Sequence, residues 1–341
     1  MALAAREQVL FNPGPVNLHP AIKESLFNVE LCHRQPEFEA LLARVETRLS
    51  VAAGASPESH RLSLLHGSGS LAVDAALTSL VRGRVLVVDN GVYCRRIVAT
   101  LAGAPGAEPI EHDAGLGQAP DLDRLEADVA ARRPDWIAAV HHETTTGLLN
   151  PLAQIAAMAH EHGSRLFVDA VSSLGVHPVP SSADVVCFNS NKCLESLPGV
   201  AGVFWERGLE SRATVPVLDV ASYAGAMPST PHVQAVVALD VALDLLAQED
   251  RPARYARLAR KVWETGGHLF EPLLAEEDRS HVLASFRLHG RDPDDVLGRA
   301  LERGYVIYAG QGPLRSEIFR VANMGAAIDE TVIEDLFEAI A

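Results

Sequence analysis

Lysine is rare in this chain, and one lysine directly follows an apolar run. Of the 29 basic side chains only three are lysine, and Lys192 stands just past "ADVVCFNSN" (183–191), a pattern typical of a buried strand. A neutral amine can condense with an aldehyde, whereas a guanidinium stays protonated and is not nucleophilic at neutral pH. Asp169 lies in the preceding strand pattern, "SRLFVDAVSS" (164–173). An amine and a carboxylate therefore follow two successive predicted strands.

Three more predicted strands end in residues that could bind a ligand. They are followed by "HGSGS" (66–70), "NGVY" (90–93) and "HHETTTG" (141–147). In open parallel sheets, ligands bind beyond the carboxyl ends of the strands. We therefore expect a glycine-serine turn, an aromatic ring and a threonine cluster to meet the amine and the carboxylate at one edge of the sheet.

Pyridoxal phosphate is the cofactor that needs this combination of groups. It needs a lysine for a Schiff base and a carboxylate beside its pyridine nitrogen, so that the nitrogen stays protonated and the ring withdraws electrons. We assign Lys192 to the first role and Asp169 to the second. Each residue also has a simpler explanation when taken alone, such as a solvated charge for Lys192 or a helix cap for Asp169. The set in this order is more specific than any member.

The remaining cofactor contacts follow from the same hypothesis. "HGSGS" precedes a helical pattern, so its glycines and hydroxyls could hold a phosphate at a helix start. Tyr93 could stack on the cofactor ring, and Thr144 could hydrogen-bond the phenolic oxygen of the ring. The phosphate contacts predicted in that turn are Ser68, Gly69 and Ser70.

Strand and helix patterns alternate along the first two thirds of the chain. Strands followed by polar or glycine-containing turns are predicted within 84–91, 135–143, 164–173 and 183–191, with helical spacing between them, which favours an α/β fold with a mostly parallel sheet. A long helix is predicted over 231–250, and a small α+β unit follows it. We predict an N-terminal arm over 1–20, a large cofactor-binding domain over 21–245 and a small domain over 246–341.

Composition indicates a globular protein and excludes several classes of partner. Hydrophobic residues make up 48% of the 341 residues, but no apolar run approaches the ~20 residues of a membrane span. The first residues lack a secretory signal pattern, so we expect a cytoplasmic location and no membrane partner. The formal charge is −15 without a basic block, which makes nucleic acid an improbable partner. The four cysteines form no CxxC pair, and the adjacent histidines 141 and 142 would point to opposite faces of a strand, so no metal site is expected.

The chain resembles the class V, fold-type I aminotransferases over nearly its whole length, and among them the 2-aminoethylphosphonate–pyruvate transaminase group. The segments that carry the resemblance are "FNPGPVNL", "HHETTTGLLNPLAQIAAMAHEHG", "LFVDAVSSLG", "SNKCLESLPGVAGVFW", "STPH" and "FRVANMG". The resemblance implies a seven-stranded, mostly parallel sheet with pyridoxal phosphate. It implies transfer of an amino group from 2-aminoethylphosphonate, or a close aminophosphonate, to pyruvate, giving phosphonoacetaldehyde and alanine.

The resemblance also assigns residues that spacing alone does not. Asn191 matches a further phosphate contact, and Thr230 matches a threonine that reaches the cofactor phosphate of the neighbouring subunit. A homodimer with shared active sites is therefore implied. Arg320 matches the arginine that holds the acidic end of the substrate, and a planar guanidinium also suits a carboxylate or phosphonate on physical grounds.

Three alternatives stay open at this stage. The nearest is alanine– or serine–glyoxylate transamination by the same family. The second is a class V lyase or cysteine desulfurase, which would need a reactive cysteine on a mobile loop; Cys193, beside Lys192, is poorly placed for that role. The third is a non-catalytic or nicotinamide-binding α/β protein, but "HGSGSLAV" lacks the G-x-G-x-x-G spacing.

Overall fold

The computed structural model describes residues 8–27 and 29–341. Residues 1–7 of the predicted arm lie outside the described residues, as does Asn28. In chain order the strands are β1 (Val9–Leu10), β2 (His60–Gly67), β3 (Gly83–Asp89), β4 (Ala107–Asp113), β5 (Trp136–Val140), β6 (His142–Glu143), β7 (Leu148–Leu149), β8 (Arg165–Asp169), β9 (Val185–Asn189), β10 (Gly199–Glu206), β11 (Leu283–Arg287), β12 (Tyr305–Val306), β13 (Tyr308–Ala309) and β14 (Ile318–Ala322).

Helices alternate with these strands through most of the chain. In chain order they are α1 (Pro20–Ser25), α2 (Pro36–Ala53), α3 (Gly69–Leu80), α4 (Val92–Gly103), α5 (Leu122–Arg132), α6 (Leu152–Glu161), α7 (Val233–Ala247), α8 (Arg251–Gly267), α9 (Pro293–Glu302) and α10 (Glu330–Ile340). Aspartate side chains cap the first turns of α5, α8 and α10 by accepting a backbone N–H. None of the helices among the described residues combines the length and apolar character that a membrane crossing requires.

The main sheet has seven strands in the order β2-β10-β9-β8-β5-β3-β4. β10 runs antiparallel to β2 and β9, and the other neighbouring pairs are parallel. The predicted α/β fold with a mostly parallel, seven-stranded sheet is therefore confirmed. Every residue of β5 and β9 is buried, as expected for strands covered by helices on both faces.

Helices cover both faces of this sheet. α3 and α4 pack on one face, around buried residues such as Leu77 and Ile97. α2, α5, α6 and α7 pack on the other face, around residues such as Val45 and Leu239. α2 and α7 are also joined by ion pairs from Arg44 to Asp240, at 2.7 Å, and from Arg48 to Asp244, at 2.9 Å.

All four strands predicted in the first two thirds of the chain stop before the end of their sequence stretches, where the predicted turns begin. The pattern over 164–173 becomes a strand that stops at Asp169, because the Val171 N–H bonds the Asp169 side chain and the chain turns. The pattern over 135–143 divides into β5 and the short strand β6. β6 pairs with β7 in a hairpin, and "ETTTG" forms its turn.

The C-terminal part of the chain forms a second, three-stranded antiparallel sheet, β11-β14-β13. α8, α9 and α10 pack around its core, which includes Phe286, Phe319 and Phe337. Phe11 belongs to the same core, and β1 pairs in parallel with β12, so the N-terminal segment joins this unit. Residues 248–250 separate α7 from α8, and the domain boundary at 245/246 stays a prediction.

Candidate active site

The carboxyl ends of five parallel strands, β2, β3, β5, β8 and β9, point to one edge of the main sheet. The lysine turn follows β9, and the Lys192 Nζ atom lies 5.8 Å from the centre of the Tyr93 ring. Burial raises the pKa of the Asp169 carboxyl group, and Lys192 lies close enough to oppose that increase. The predicted meeting of amine, carboxylate and aromatic ring is therefore present.

Asp169 is a buried carboxylate with one oxygen available. Its Oδ1 atom accepts a hydrogen bond from Val171 N at 3.0 Å. Its Oδ2 atom accepts none from the residues that the structure describes. Burial raises the pKa of Asp169, while Lys192 and Arg96 act against that increase. A protonated ring nitrogen placed at Oδ2 would supply the missing positive partner.

The turn before α3 presents free hydrogen-bond donors. Ser68 is the N-cap of α3, but its side chain makes no capping hydrogen bond. The amide N–H groups of Gly69 and Ser70 have no acceptor within residues 8–27 and 29–341. A Cβ atom on Gly69 would lie 2.6 Å from Val171 Cγ1, so only glycine fits there. Unpaired N–H groups at a helix start fit a phosphate.

Arg96 adds a cation that the sequence analysis did not identify. Its Nη1 atom donates to Ser70 Oγ at 2.5 Å, and its Nη2 atom pairs with Asp74 at 2.5 Å. Arg96 lies one helical turn after Tyr93 on α4, so the i, i+3 spacing could have indicated a shared face. The arginine fixes the Ser70 hydroxyl beside the free amides.

Glu143 holds the first turn of α4, which carries Tyr93. Its Oε2 atom accepts from Tyr93 N at 3.2 Å, and its Oε1 atom accepts from Thr145 N at 2.9 Å. Burial raises the pKa of Glu143, and hydrogen bonds from Thr145 and Tyr93 oppose that increase. Sequence reasoning missed Glu143, although it directly precedes the predicted residue Thr144.

The lysine turn is fixed from two sides. Asn191 N donates to Asn189 Oδ1 at 2.9 Å. The N-terminal segment packs over the turn, because a Cβ atom on Gly14 would lie 3.1 Å from Asn191 O and 3.3 Å from Lys192 Cγ. Gly14 also has a φ of 106°, which disfavours any other residue.

Glu195, three residues after the lysine, anchors the same turn to the C-terminal unit. Its Oε1 atom accepts from Tyr255 Oη at 2.6 Å, from Arg254 Nη2 at 2.8 Å and from Gly325 N at 2.9 Å. Arg251 Nη1 donates to the carbonyl oxygen of Cys193 at 3.0 Å. Gly325 follows the strand that bears Arg320, so one carboxylate connects the lysine turn with that strand.

Arg320 is a buried guanidinium on β14. It is 4% exposed and has no carboxylate within ion-pair distance among the described residues. Its Nη1 atom donates to the Thr144 carbonyl oxygen at 2.8 Å, which places it beside the turn of the β6–β7 hairpin. Burial lowers the pKa of Arg320, with Tyr93 and Glu143 opposing that effect. A substrate anion would supply the missing counter-charge.

Thr230 is exposed in the segment before α7, and no hydrogen bond joins it to another described residue. The ring centres of the nearby His232 and of His66, which precedes the glycine-serine turn, are 6.2 Å apart. The structure brings together Ser68, Gly69, Ser70, Tyr93, Thr144, Asp169, Asn191, Lys192 and Arg320, whereas Thr230 has no bonding partner among them.

The Cys193 thiol is unsuited to nucleophilic chemistry. It is buried and donates to Ser172 O at 3.1 Å. Burial raises its pKa to about 12, so the thiolate form is scarce at neutral pH. The sulfur transfer that a cysteine desulfurase performs finds no support at this position.

Comparison with known proteins gives one consistent family. Residues 46–312 match the family model described as aminotransferase class-V. A 2-aminoethylphosphonate–pyruvate transaminase of Paraburkholderia phymatum is 33% identical over 95% of this chain and 93% of its own length. One from Salmonella schwarzengrund is 31% identical over 95% of this chain and 94% of its own length.

A solved structure supports the same fold. The alanine–glyoxylate aminotransferase of Nostoc sp. superposes with a TM-score of 0.90 at 25% identity, covering 100% of this chain and 96% of the Nostoc chain. The geometry and these likenesses agree: the chain belongs to the class V aminotransferase family and is a fold-type I, pyridoxal-phosphate-dependent transaminase.

Proposed function

We propose that this enzyme transfers the amino group of 2-aminoethylphosphonate, or of a close aminophosphonate, to pyruvate, giving phosphonoacetaldehyde and alanine. The observation that carries the proposal is the buried guanidinium of Arg320, which lacks a carboxylate partner among the described residues. The names of relatives at 31–33% identity over 95% of the chain support the choice of donor and acceptor.

Asp169 and Lys192, at the edge of the sheet, have separate roles in the reaction. The cofactor, when bound, supplies an aldehyde for the lysine amine and a ring that withdraws electrons from the substrate carbon. Asp169 keeps a proton on the ring nitrogen through its free Oδ2 atom. Lys192 Nζ takes the proton from the substrate carbon that bears the amino group, and later returns a proton to the acceptor carbon.

The other residues bind and orient. Ser68, Gly69, Ser70 and Asn191 would hold the cofactor phosphate, while Tyr93 would pack against the ring and Thr144 would bind its phenolic oxygen. Arg320 binds the acidic group of the substrate and so directs its other end toward Lys192. Because uncompensated buried cations are costly, this binding is expected to be selective for anionic substrates.

We further propose a cytoplasmic homodimer with shared active sites. The exposed position of Thr230, which makes no hydrogen bond with the other described residues, supports this proposal. In such a dimer Thr230 would reach the cofactor phosphate of the partner subunit. The mass of the protein in solution tests the dimer, and a fully active monomer would contradict it. The cofactor affinity of a Thr230→Ala variant tests the shared site, and we expect this variant to bind the cofactor more weakly.

An amino-donor panel tests the proposed reaction. Holoenzyme is mixed with 2-aminoethylphosphonate, alanine or serine, and the cofactor absorbance is followed before pyruvate or glyoxylate is added. We expect 2-aminoethylphosphonate to give the highest kcat/KM with pyruvate as acceptor. A preference for alanine or serine with glyoxylate would instead establish the second candidate function, alanine– or serine–glyoxylate transamination. The TM-score of 0.90 to the Nostoc alanine–glyoxylate aminotransferase favours this second function.

A further inference from the structure

The guanidinium of Arg320 already uses most of its hydrogen-bond donors. Nε donates to Ala309 O at 3.0 Å, and Nη1 donates to both Thr144 O at 2.8 Å and Gln311 Oε1 at 3.3 Å. A guanidinium carries five N–H bonds, one on Nε and two on each Nη atom. Only the two N–H bonds of Nη2 therefore remain without a partner among the described residues.

A substrate anion needs more than Nη2 offers. Carboxylates and phosphonates bind a guanidinium best through two oxygens that contact two different nitrogens. Since Nε and Nη1 are occupied, one of their three present acceptors has to give way when the anion arrives.

Gln311 is the acceptor that can move. Ala309 O belongs to β13, which is paired with β14, and Thr144 O lies in a buried hairpin turn. Gln311 is a partly exposed side chain in the loop between β13 and β14, and it makes the longest of the three hydrogen bonds. Its displacement costs one weak hydrogen bond and no main-chain rearrangement.

The amide of Gln311 can then serve the substrate directly. A glutamine amide carries an acceptor oxygen and, on Nε2, two donors. Rotation of the amide by half a turn replaces the acceptor with a donor at the same place. A carboxylate has two oxygens, which Arg320 can bind, whereas a phosphonate has a third oxygen that needs a donor of its own.

We propose that Gln311 is a specificity-determining residue: it releases Arg320 Nη1 to the substrate and donates its Nε2–H to the third oxygen of a tetrahedral anion. The residue therefore favours phosphonates over carboxylates of the same length. This inference rests on the proposed function in one respect, the binding of the substrate anion at Arg320.

Three anions without an amino group test the inference apart from turnover. Ethylphosphonate and ethanesulfonate are tetrahedral and have three oxygens, but a sulfonate carries only one negative charge. Propionate has two oxygens in a plane. Their Kd values for the holoenzyme are measured by titration calorimetry, so the result does not depend on which amino donor the enzyme prefers.

Gln311→Leu removes the amide at similar side-chain size. We expect it to weaken ethylphosphonate and ethanesulfonate binding about tenfold, the effect of one hydrogen bond to a charged group. Propionate binding should change less than about twofold, because its two oxygens bind Arg320 only. Gln154→Leu, the same substitution at an exposed position of α6, is the matched control and should leave all three Kd values unchanged.

A second variant separates the donor from the acceptor. Gln311→Glu keeps an acceptor for Arg320 Nη1 but adds a negative charge and has no N–H, so all three anions should bind more weakly. Equal weakening of the three anions by Gln311→Leu, no weakening of any, or weakening of ethylphosphonate alone would overturn the role of the third oxygen. Failure of all three to bind the unmodified holoenzyme would overturn Arg320 as the anion site.

Discussion

Asp169 and Lys192 owe their chemical roles to their immediate surroundings. Asp169 is tied through Oδ1 to Val171 N, which leaves Oδ2 free at the sheet edge. Lys192 leaves β9 in a turn that the Gly14 segment covers on one side. At this scale a substitution should change the reaction far more than the fold.

Lys192→Ala should abolish transamination, with turnover lower by at least about 10³-fold, because no other amine at the site can move the proton. Circular dichroism should show an intact fold. Borohydride reduction followed by mass spectrometry should find the cofactor attached to residue 192 only in the unmodified protein. Lys261→Ala, which replaces a partly exposed lysine paired with Glu334, is the control and should keep near-normal turnover.

Asp169→Asn should lower kcat by about 10²–10³-fold, since the ring nitrogen loses the negative charge that keeps its proton. Asp113→Asn, at the end of the edge strand β4, is the matched substitution outside the site. Steady-state kinetics on both variants provide the measurement. Comparable activity of the two variants would show that Asp169 does not contact the ring nitrogen.

The sequence predicted the site residues that directly follow strands. It did not predict the residues that hold those site residues in place. Lys192, Asp169 and the turn after β2 stand out because polar groups directly follow apolar runs. Arg96, Glu143 and Gln311 were missed because each acts on a residue of another element, Ser70, Tyr93 and Arg320 respectively. Such pairings depend on packing, which periodicity does not encode.

Among the elements, the turn from Lys192 to Glu195 is held chiefly by α8. Arg251, Arg254 and Tyr255 on α8 contact Glu195 or the carbonyl oxygen of Cys193. Glu249 pairs with both arginines, at 2.5 Å and 2.9 Å, which balances the charges. The position of the lysine therefore depends on a helix of the C-terminal unit.

Glu195→Gln should lower the free energy of unfolding by about 3 kcal/mol, because the buried Arg251 and the partly exposed Arg254 lose a negative partner. We expect kcat to fall as well, since the lysine turn loosens. Glu330→Gln breaks the exposed ion pair with Arg257 and should lower the free energy of unfolding by no more than about 1 kcal/mol. Denaturant unfolding and steady-state kinetics test both, and equal losses in the two variants would contradict an anchoring role.

Sequence patterns predicted the long helices better than the shortest strands. The long helix predicted over 231–250 is α7, Val233–Ala247, and α8 starts after the capping residue Asp250. The hairpin of β6 and β7 was not foreseen, because two-residue strands carry too short a pattern to detect.

At the scale of the whole molecule, histidines join the two parts of the fold. His142 Nε2 lies 2.9 Å from Ser280 Oγ, and His281 N donates to His177 Nε2 at 3.2 Å. The ring centres of His141 and His177 are 5.9 Å apart. Burial lowers the pKa of His141, His142 and His177 to about 4, 3 and 2.

The holoenzyme should lose stability as the pH falls below about 6.5. These histidines have a lower pKa in the folded protein than in the unfolded chain, so the unfolded chain binds more protons. Each such histidine lowers the free energy of unfolding by about 1.4 kcal/mol for every pH unit below its unfolded pKa. Glu143 and Asp169, whose pKa values burial raises, oppose part of this loss. Thermal midpoints from pH 8 to pH 5 provide the measurement.

His177→Gln should make the loss of thermal stability with falling pH less steep. A glutamine at this position takes up no proton when the chain unfolds. His268→Gln, at an exposed position after α8, is the control and should follow the unmodified protein. Identical pH profiles for all three proteins would exclude His177 as a source of the acid sensitivity.

The pairing of Val9 with Tyr305 and of Leu10 with Val306 has a consequence for biosynthesis. β1 leaves the ribosome at the start of translation, but the strand it pairs with is made near the end. Until then Gly14 has no fixed path over the lysine turn, so the reaction centre is completed only after nearly all of the chain has been synthesised. A ribosome-bound chain that stops before residue 305 should therefore lack transaminase activity even though all seven strands of the large sheet are already available.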